Sequence, residues 1–154
     1  MNIFRQLLVQ AVLIFLNAFF AMTEIAVISL NATKLKRMAE EGDKTASKLL
    51  KLVEEPAGFL STIQIGITLA GFLGSAFAAD SFSAGLVNWI YNDLGFHLFS
   101  EKTLGTLSVI LITIILSYFT LVFGELVPKR IAMQKPLKMA RLSCGVVSLS
   151  LIHI

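Results

Sequence analysis

The sequence predicts an all-α membrane protein with three transmembrane helices and a helical hairpin between the first two. Three observations carry that prediction. The 154-residue chain is 56% hydrophobic and 15% charged, with a mean hydropathy of +0.80; a water-soluble domain of this size carries far more polar surface. Three apolar runs reach the roughly 20 residues that a helix needs to cross a bilayer core. Lysine and arginine gather in alternate connections between those runs.

The first run extends from Gln6 to Thr33, interrupted only by Glu24. Arg5 and the residues after it resemble a signal peptide. However, the apolar character continues through "AVISL" without a clear small-x-small cleavage site, so a retained helix is expected. The stretch Lys34–Glu55 reads as a helical hairpin lying under the membrane. Leu35, Met38 and Ala39 share one helical face, Gly42 fits a C-cap, and Ala46, Leu49, Leu50 and Val53 mark a second amphipathic piece. Pro56 is placed to start the next helix, and the second run extends from there to Ala79. The connection Asp80–Lys102 holds Trp89, Tyr91, Phe96 and Phe99, rings suited to headgroup depth; His97 among them reads as an interfacial side chain. The third run extends from Thr103 to Gly124. A last run, Leu142–Ile154, is too short to span.

Orientation follows from charge. Lys34, Lys36, Arg37, Lys44, Lys48 and Lys51 lie in the first connection, and Lys129, Arg130, Lys135, Lys138 and Arg141 follow the third run, whereas the second connection holds Lys102 alone. The positive-inside rule puts the Lys34–Glu55 loop and the C-terminus in the cytoplasm and the N-terminus outside. The net charge of +3 reflects this excess. It does not indicate nucleic acid, because no basic stretch is interleaved with aromatics. Cys144 has no partner in the chain and reads as a small hydrophobe.

Polar residues inside the apolar runs need reasons. Gly66, Ala70, Gly74 and Ala78, with Gly71, Ser75 and Ala79 beside them, form small-residue rows that let helices approach closely. Thr106, Thr113, Ser117, Thr120 and Gly124 share one face of the third run and lead to "GELVPK". Pro128 has no N–H for the carbonyl four residues back, that of Gly124. A freed carbonyl beside the Glu125 carboxylate is a setting for a hard cation; the competing reading is a rim ion pair of Glu125 with Lys129. In "LNAFFAMTEIAVISL", Asn17, Thr23 and Glu24 stand in oily sequence with no cation nearby in the chain. An intramembrane acid is a functional-site hypothesis by default. Glu24, the Gly66–Thr68 stretch and Glu125 fall at similar depth, and an oxygen-only donor set suits Mg²⁺, Ca²⁺ or Na⁺.

The run from "NAFFAMTEIAVISL" through "TIQIGITL" together with "GELVPKRIA" resembles the transmembrane domain of the CorC and cyclin M (CNNM) family of magnesium transporters, also described as hemolysin-like proteins. The resemblance covers nearly the whole chain. It implies a homodimer with three membrane helices and a following juxtamembrane helix per subunit, and a dehydrated divalent cation, Mg²⁺ or Co²⁺, as the transported substrate. Carried over by position, the metal ligands are the Thr23 hydroxyl, the Gly66 carbonyl, the Thr68 side chain and Glu125. Glu24, Gly124 and Asn17 form a second tier, with Glu24 either structural or ion-coupling. A coupling ion such as Na⁺ is implied, with its identity open, and the lipid bilayer is the implied surroundings. The family's CBS domains are absent from these residues, and the resemblance implies a transmembrane domain over 1–154 that is incomplete at its C-terminal end.

Two functions remain on sequence grounds: a cation carrier, and a dimeric membrane anchor serving cytosolic domains. Intramembrane acids favour the carrier. An enzyme is not expected, since no nucleophile–base pair, no His/Cys metal-ligand cluster and no phosphate loop is present in the sequence.

Overall fold

A computed structural model describes residues 3–93, 95 and 100–152. Every regular element among them is helical: α1 (Ile3–Ile28), α2 (Ala32–Glu40), α3 (Lys44–Glu54), α4 (Pro56–Asn88), α5 (Glu101–Leu121), α6 (Val127–Gln134) and α7 (Pro136–Ile152). Wide π-helical turns follow α4 at Trp89–Asp93 and α5 at Val122–Leu126. Three continuous helical stretches are long and apolar enough to cross a membrane: Ile3–Ile28, Pro56–Asp93 and Lys102–Gln134. The chain is an integral membrane protein. Phe15 and Ile114, 70% and 63% exposed, are typical of the apolar side chains on the outer faces, where hydrocarbon is the solvent.

The hairpin forms as expected. Asn31 caps α2 by accepting from the Lys34 N–H at 3.0 Å. Gly42, at φ +95°, ends α2 in a Schellman motif, with Asp43 N–H bonding Met38 O and Gly42 N–H bonding Ala39 O, each at 3.0 Å. Asp43 then caps α3 through the Thr45 and Ala46 N–H groups. It also forms an ion pair with Arg141, which ties the hairpin to α7. The Ala46 N–H and the adjacent guanidinium hold the Asp43 carboxyl below the usual aspartate range.

The tightest core sits at this hairpin end. Ala26, Val27, Leu35, Ala46, Leu49, Phe59, Ile63, Ala132, Ala140 and Cys144 form one buried cluster joining six of the helices. Burial pushes the Cys144 thiol up, which keeps it protonated and inert.

Two boundaries differ from the sequence reading. The second helix does not stop at Ala79. It runs on through Asp80 to Asn88, because one aspartate ends an apolar run without breaking a helix, and no proline follows before the wide turn. Pro56–Asp93 spans 38 residues, about 57 Å at 1.5 Å per residue. That length exceeds a bilayer core of about 30 Å at any ordinary tilt. Of the expected interfacial residues, Trp89 is exposed on the wide turn; Phe96, His97 and Phe99 lie outside the described residues. Nor does Pro128 end the third span. The backbone widens over Val122–Leu126, the Val127 N–H bonds the Val122 carbonyl, and α6 continues with Pro128 in its first turn, where a missing N–H costs little.

Ala70, Gly74 and Ala78 are buried, so this small-residue row is a packing face. A Cβ on Gly74 would meet only Gln10 Nε2, at 3.5 Å. Gly74→Ala should therefore leave stability near wild type, whereas Gly74→Leu should cost about 1–3 kcal/mol by overpacking. Thermal unfolding of the purified variants in detergent measures both; a Leu variant as stable as wild type would place this row against lipid.

Candidate functional site

On α1, Gln10, Asn17 and Glu24 are spaced by seven residues and share a face. Gln10 and Asn17 are buried, each 4% exposed. Asn17 Nδ2 donates to the Gly124 carbonyl at 3.1 Å. The cause is local: Pro128 cannot supply the usual donor, and Gly124 has no side chain to hold α1 away. A Cβ there would lie 3.0 Å from Asn17 Nδ2 and 3.5 Å from the Ile14 carbonyl oxygen. The freed carbonyl is thus met by an amide from another helix. Because Nδ2 must face that carbonyl, the amide orientation is set, and Asn17 Oδ1 is left buried without a hydrogen-bond partner. An unmet buried acceptor costs about 1–3 kcal/mol.

Beside this bond opens a cavity of about 330 Å³. Asn17 lines it from α1, Thr68, Gly71 and Ser75 from α4, Ser117 and Thr120 from α5, and Glu125 from the wide turn. Its polar atoms are amide, hydroxyl and carboxylate. Among the described residues, no three His, Cys, Asp or Glu side chains gather as a metal-holding group.

The structure brings together Asn17, Thr68, Gly124 and Glu125 of the predicted residues. Thr23 and Gly66 are not among the residues lining the cavity. The Thr23 hydroxyl is fully buried and donates to the Phe19 carbonyl at 2.7 Å. Gly66 is covered by the Phe20 ring, within 3.0 Å of where its Cβ would be. The lower part of the expected polar line, Ser117 and Thr120, reaches the cavity. Thr106, at its upper end, is exposed and bonds its own helix at the Lys102 carbonyl.

Glu24 does have a cation. Lys129 Nζ lies 3.3 Å from Glu24 Oε2 and 3.3 Å from Glu125 Oε1. The rim pair of Glu125 with Lys129 therefore forms, and the same ammonium crosses to α1. Separation along the chain concealed it, since Lys129 follows Glu24 by more than a hundred residues. Sequence reasoning also read Gly71 and Ser75 only as packing and passed over Gln10, whose seven-residue spacing from Asn17 was the available signal. Gln10 Oε1, like Asn17 Oδ1, is buried without a partner.

The family model for the cyclin M transmembrane N-terminal domain matches residues 8–153. The chain belongs to the cyclin M transmembrane domain family. Among curated relatives, this cyclin M domain is similar to a UPF0053 protein of Synechocystis sp., with 38% identity over 135 residues, 88% of this chain and 29% of the relative. It is similar to the polyamine export protein of Haemophilus influenzae, with 28% identity over 151 residues, 98% of this chain and 34% of the relative. It is also similar to the UPF0053 inner membrane protein YfjD of Escherichia coli, with 30% identity over 126 residues, 81% of this chain and 25% of the relative. The chain spans about a third or less of the length of these relatives.

The bond from Asn17 to Gly124 has a testable cause in this cyclin M domain. Asn17→Ala should destabilise the purified protein by about 1–2 kcal/mol. The cost should shrink in a Pro128→Ala background, where residue 128 regains an N–H for the Gly124 carbonyl. A double-mutant cycle in detergent unfolding reads the coupling; additive losses would separate the amide from the proline.

Proposed function

We propose that this domain carries cations across the membrane by way of the cavity at Glu125, with Mg²⁺ as the cargo. The observation that carries the reading is the collection of Asn17, Thr68, Ser117, Thr120 and Glu125 around one cavity inside otherwise apolar spanning helices. Hydroxyls and amides also serve helix packing, but an intramembrane carboxylate among them marks an ion pathway. The donors are all oxygens, as a hard cation requires. Mg²⁺ holds its water tightly, and six waters at about 30 Å³ each occupy roughly 180 Å³. A cavity of about 330 Å³ admits the hydrated ion. Asn17 Oδ1, which lacks a donor, gains a partner when cation or water arrives. Thr23 and Gly66 join the ligand set as the ion sheds water and the Phe20 ring moves off Gly66.

A second cargo has an observation in its favour. Lys129 already places an alkylammonium between Glu24 and Glu125, and the Haemophilus influenzae relative is named a polyamine exporter. A primary ammonium on an aliphatic chain therefore suits the same carboxylates. In both cases the reading puts the hairpin and α7 on the cytoplasmic side, which the lysine and arginine distribution supports.

Calorimetric titration of the purified protein with Mg²⁺ and, separately, with spermidine distinguishes the cargoes. Glu125→Gln should remove Mg²⁺ binding while leaving the fold intact. Thr68→Val should weaken it by about 1 kcal/mol, roughly fivefold, because it removes a neutral oxygen and no charge. Binding of spermidine alone would reassign the cargo; binding of neither would leave the membrane-anchor role.

The orientation has its own test. In a Cys144→Ser background, Lys44→Cys and Lys135→Cys should react with a membrane-impermeant thiol reagent only from the cytoplasmic side, and Asn92→Cys only from outside. Labelling of positions 44 and 92 from one side would overturn the three-span arrangement.

A further inference from the structure

We propose that Lys129 is a tethered counter-cation of the transport site: its ammonium holds Glu24 and Glu125 while no cargo is bound, and it leaves Glu125 when a divalent cation enters. The inference rests on the cation-carrier reading above. Of the three charged groups, only Glu125 lines the cavity. Its carboxylate thus has two claimants, the Lys129 ammonium at 3.3 Å and whatever cation the cavity admits. Lys129 has somewhere else to go, because Glu24 Oε2 is equally close. The three side chains keep between 21% and 31% of their surface exposed, so the ammonium is not locked in by packing. Its four-carbon stem is flexible.

Charge makes the exchange necessary. Glu125 and Lys129 together are neutral, so Mg²⁺ added with Lys129 unmoved would crowd three positive charges onto one carboxylate, whereas with the ammonium on Glu24 the Glu125 carboxylate faces the ion alone. In a poorly solvated site, two cations sharing one carboxylate repel strongly. The ammonium therefore shifts toward Glu24 as the ion binds, and its return to Glu125 helps the ion leave. The lysine keeps affinity moderate, as a carrier that must release its cargo requires. A lysine acting only as a clamp between α1 and α6 would show none of this exchange.

Three measurements on the purified full chain separate these roles. Lys129→Met should bind Mg²⁺ roughly tenfold more tightly and release it more slowly, since an internal competitor is gone. Lys129→Arg, which keeps the charge, should stay near wild type. In the unaltered protein, Mg²⁺ should raise the rate at which acetic anhydride modifies Lys129, measured by mass spectrometry against the exposed Lys138. A folded Lys129→Met variant with equal or weaker Mg²⁺ binding would overturn the proposal, as would Mg²⁺ binding that leaves Lys129 labelling unchanged. If Lys129→Met fails to fold, the labelling result on the wild-type chain decides. Wild-type binding with unchanged labelling removes only this inference, whereas no Mg²⁺ binding to the wild-type chain removes the proposed function and this inference together.

Discussion

Pro128 leaves one backbone carbonyl of a membrane helix without its ordinary donor, and the arrangement of the site follows from how that deficit is met. Water cannot meet it cheaply in hydrocarbon, where each unpaired backbone group costs several kcal/mol. The chain answers twice. It widens by one residue over Val122–Leu126, which moves Pro128 into the first turn of a continuing helix. It also brings the Asn17 amide from α1 to the Gly124 oxygen. The second answer demands a glycine at 124, because a side chain there would collide with the amide. One proline therefore accounts for the wide turn, the close approach of α1 and the orientation of Asn17. The wide turn in its turn presents Glu125 to the cavity.

Around that point the molecule divides into two parts of different character. The hairpin end is sealed by an apolar cluster drawn from six helices, by successive caps at Asn31 and Asp43 and by the ion pair of Asp43 with Arg141. Deeper in the spans, the facing surfaces are small or hydroxylated, and where they do not close the cavity remains. The two carboxylates and Lys129 lie on the elements linking these parts, on the last turns of α1, on the wide turn and on α6. Their position explains how acids are tolerated in spanning helices. Each finds the same ammonium, which removes most of the cost of an isolated charge.

The spans and the hairpin were legible in the sequence, because they rest on composition, period and turn chemistry, which are local. Gly42 ends α2 in the left-handed conformation that a Schellman motif requires, and the apolar faces of α2 and α3 are those the 3.6-residue period selects. The removal of a donor from Gly124 by Pro128 is equally local and was readable. The sequence could not say what met the loss, because the answer lies 107 residues away on α1. The partner of Glu24 was hidden for the same reason. Charge-free runs also misplaced the end of the second helix, since Asp80 breaks an apolar run but no backbone rule.

The division in packing also decides where the domain can change shape. Local stability follows the density of buried apolar contacts, and that density is highest at the hairpin end. The cavity wall, by contrast, sets the small Gly71, Ser75, Ser117 and Thr120 among Ile67, Phe72 and Leu121, and the small side chains interlock little. The π-helical turn interrupts the regular α-helical ladder, and such turns recur at functional sites. The Val122–Leu126 turn and the neighbouring faces of α4 and α5 therefore carry fewer buried apolar side chains than the hairpin cluster. Glu125 sits on the turn itself.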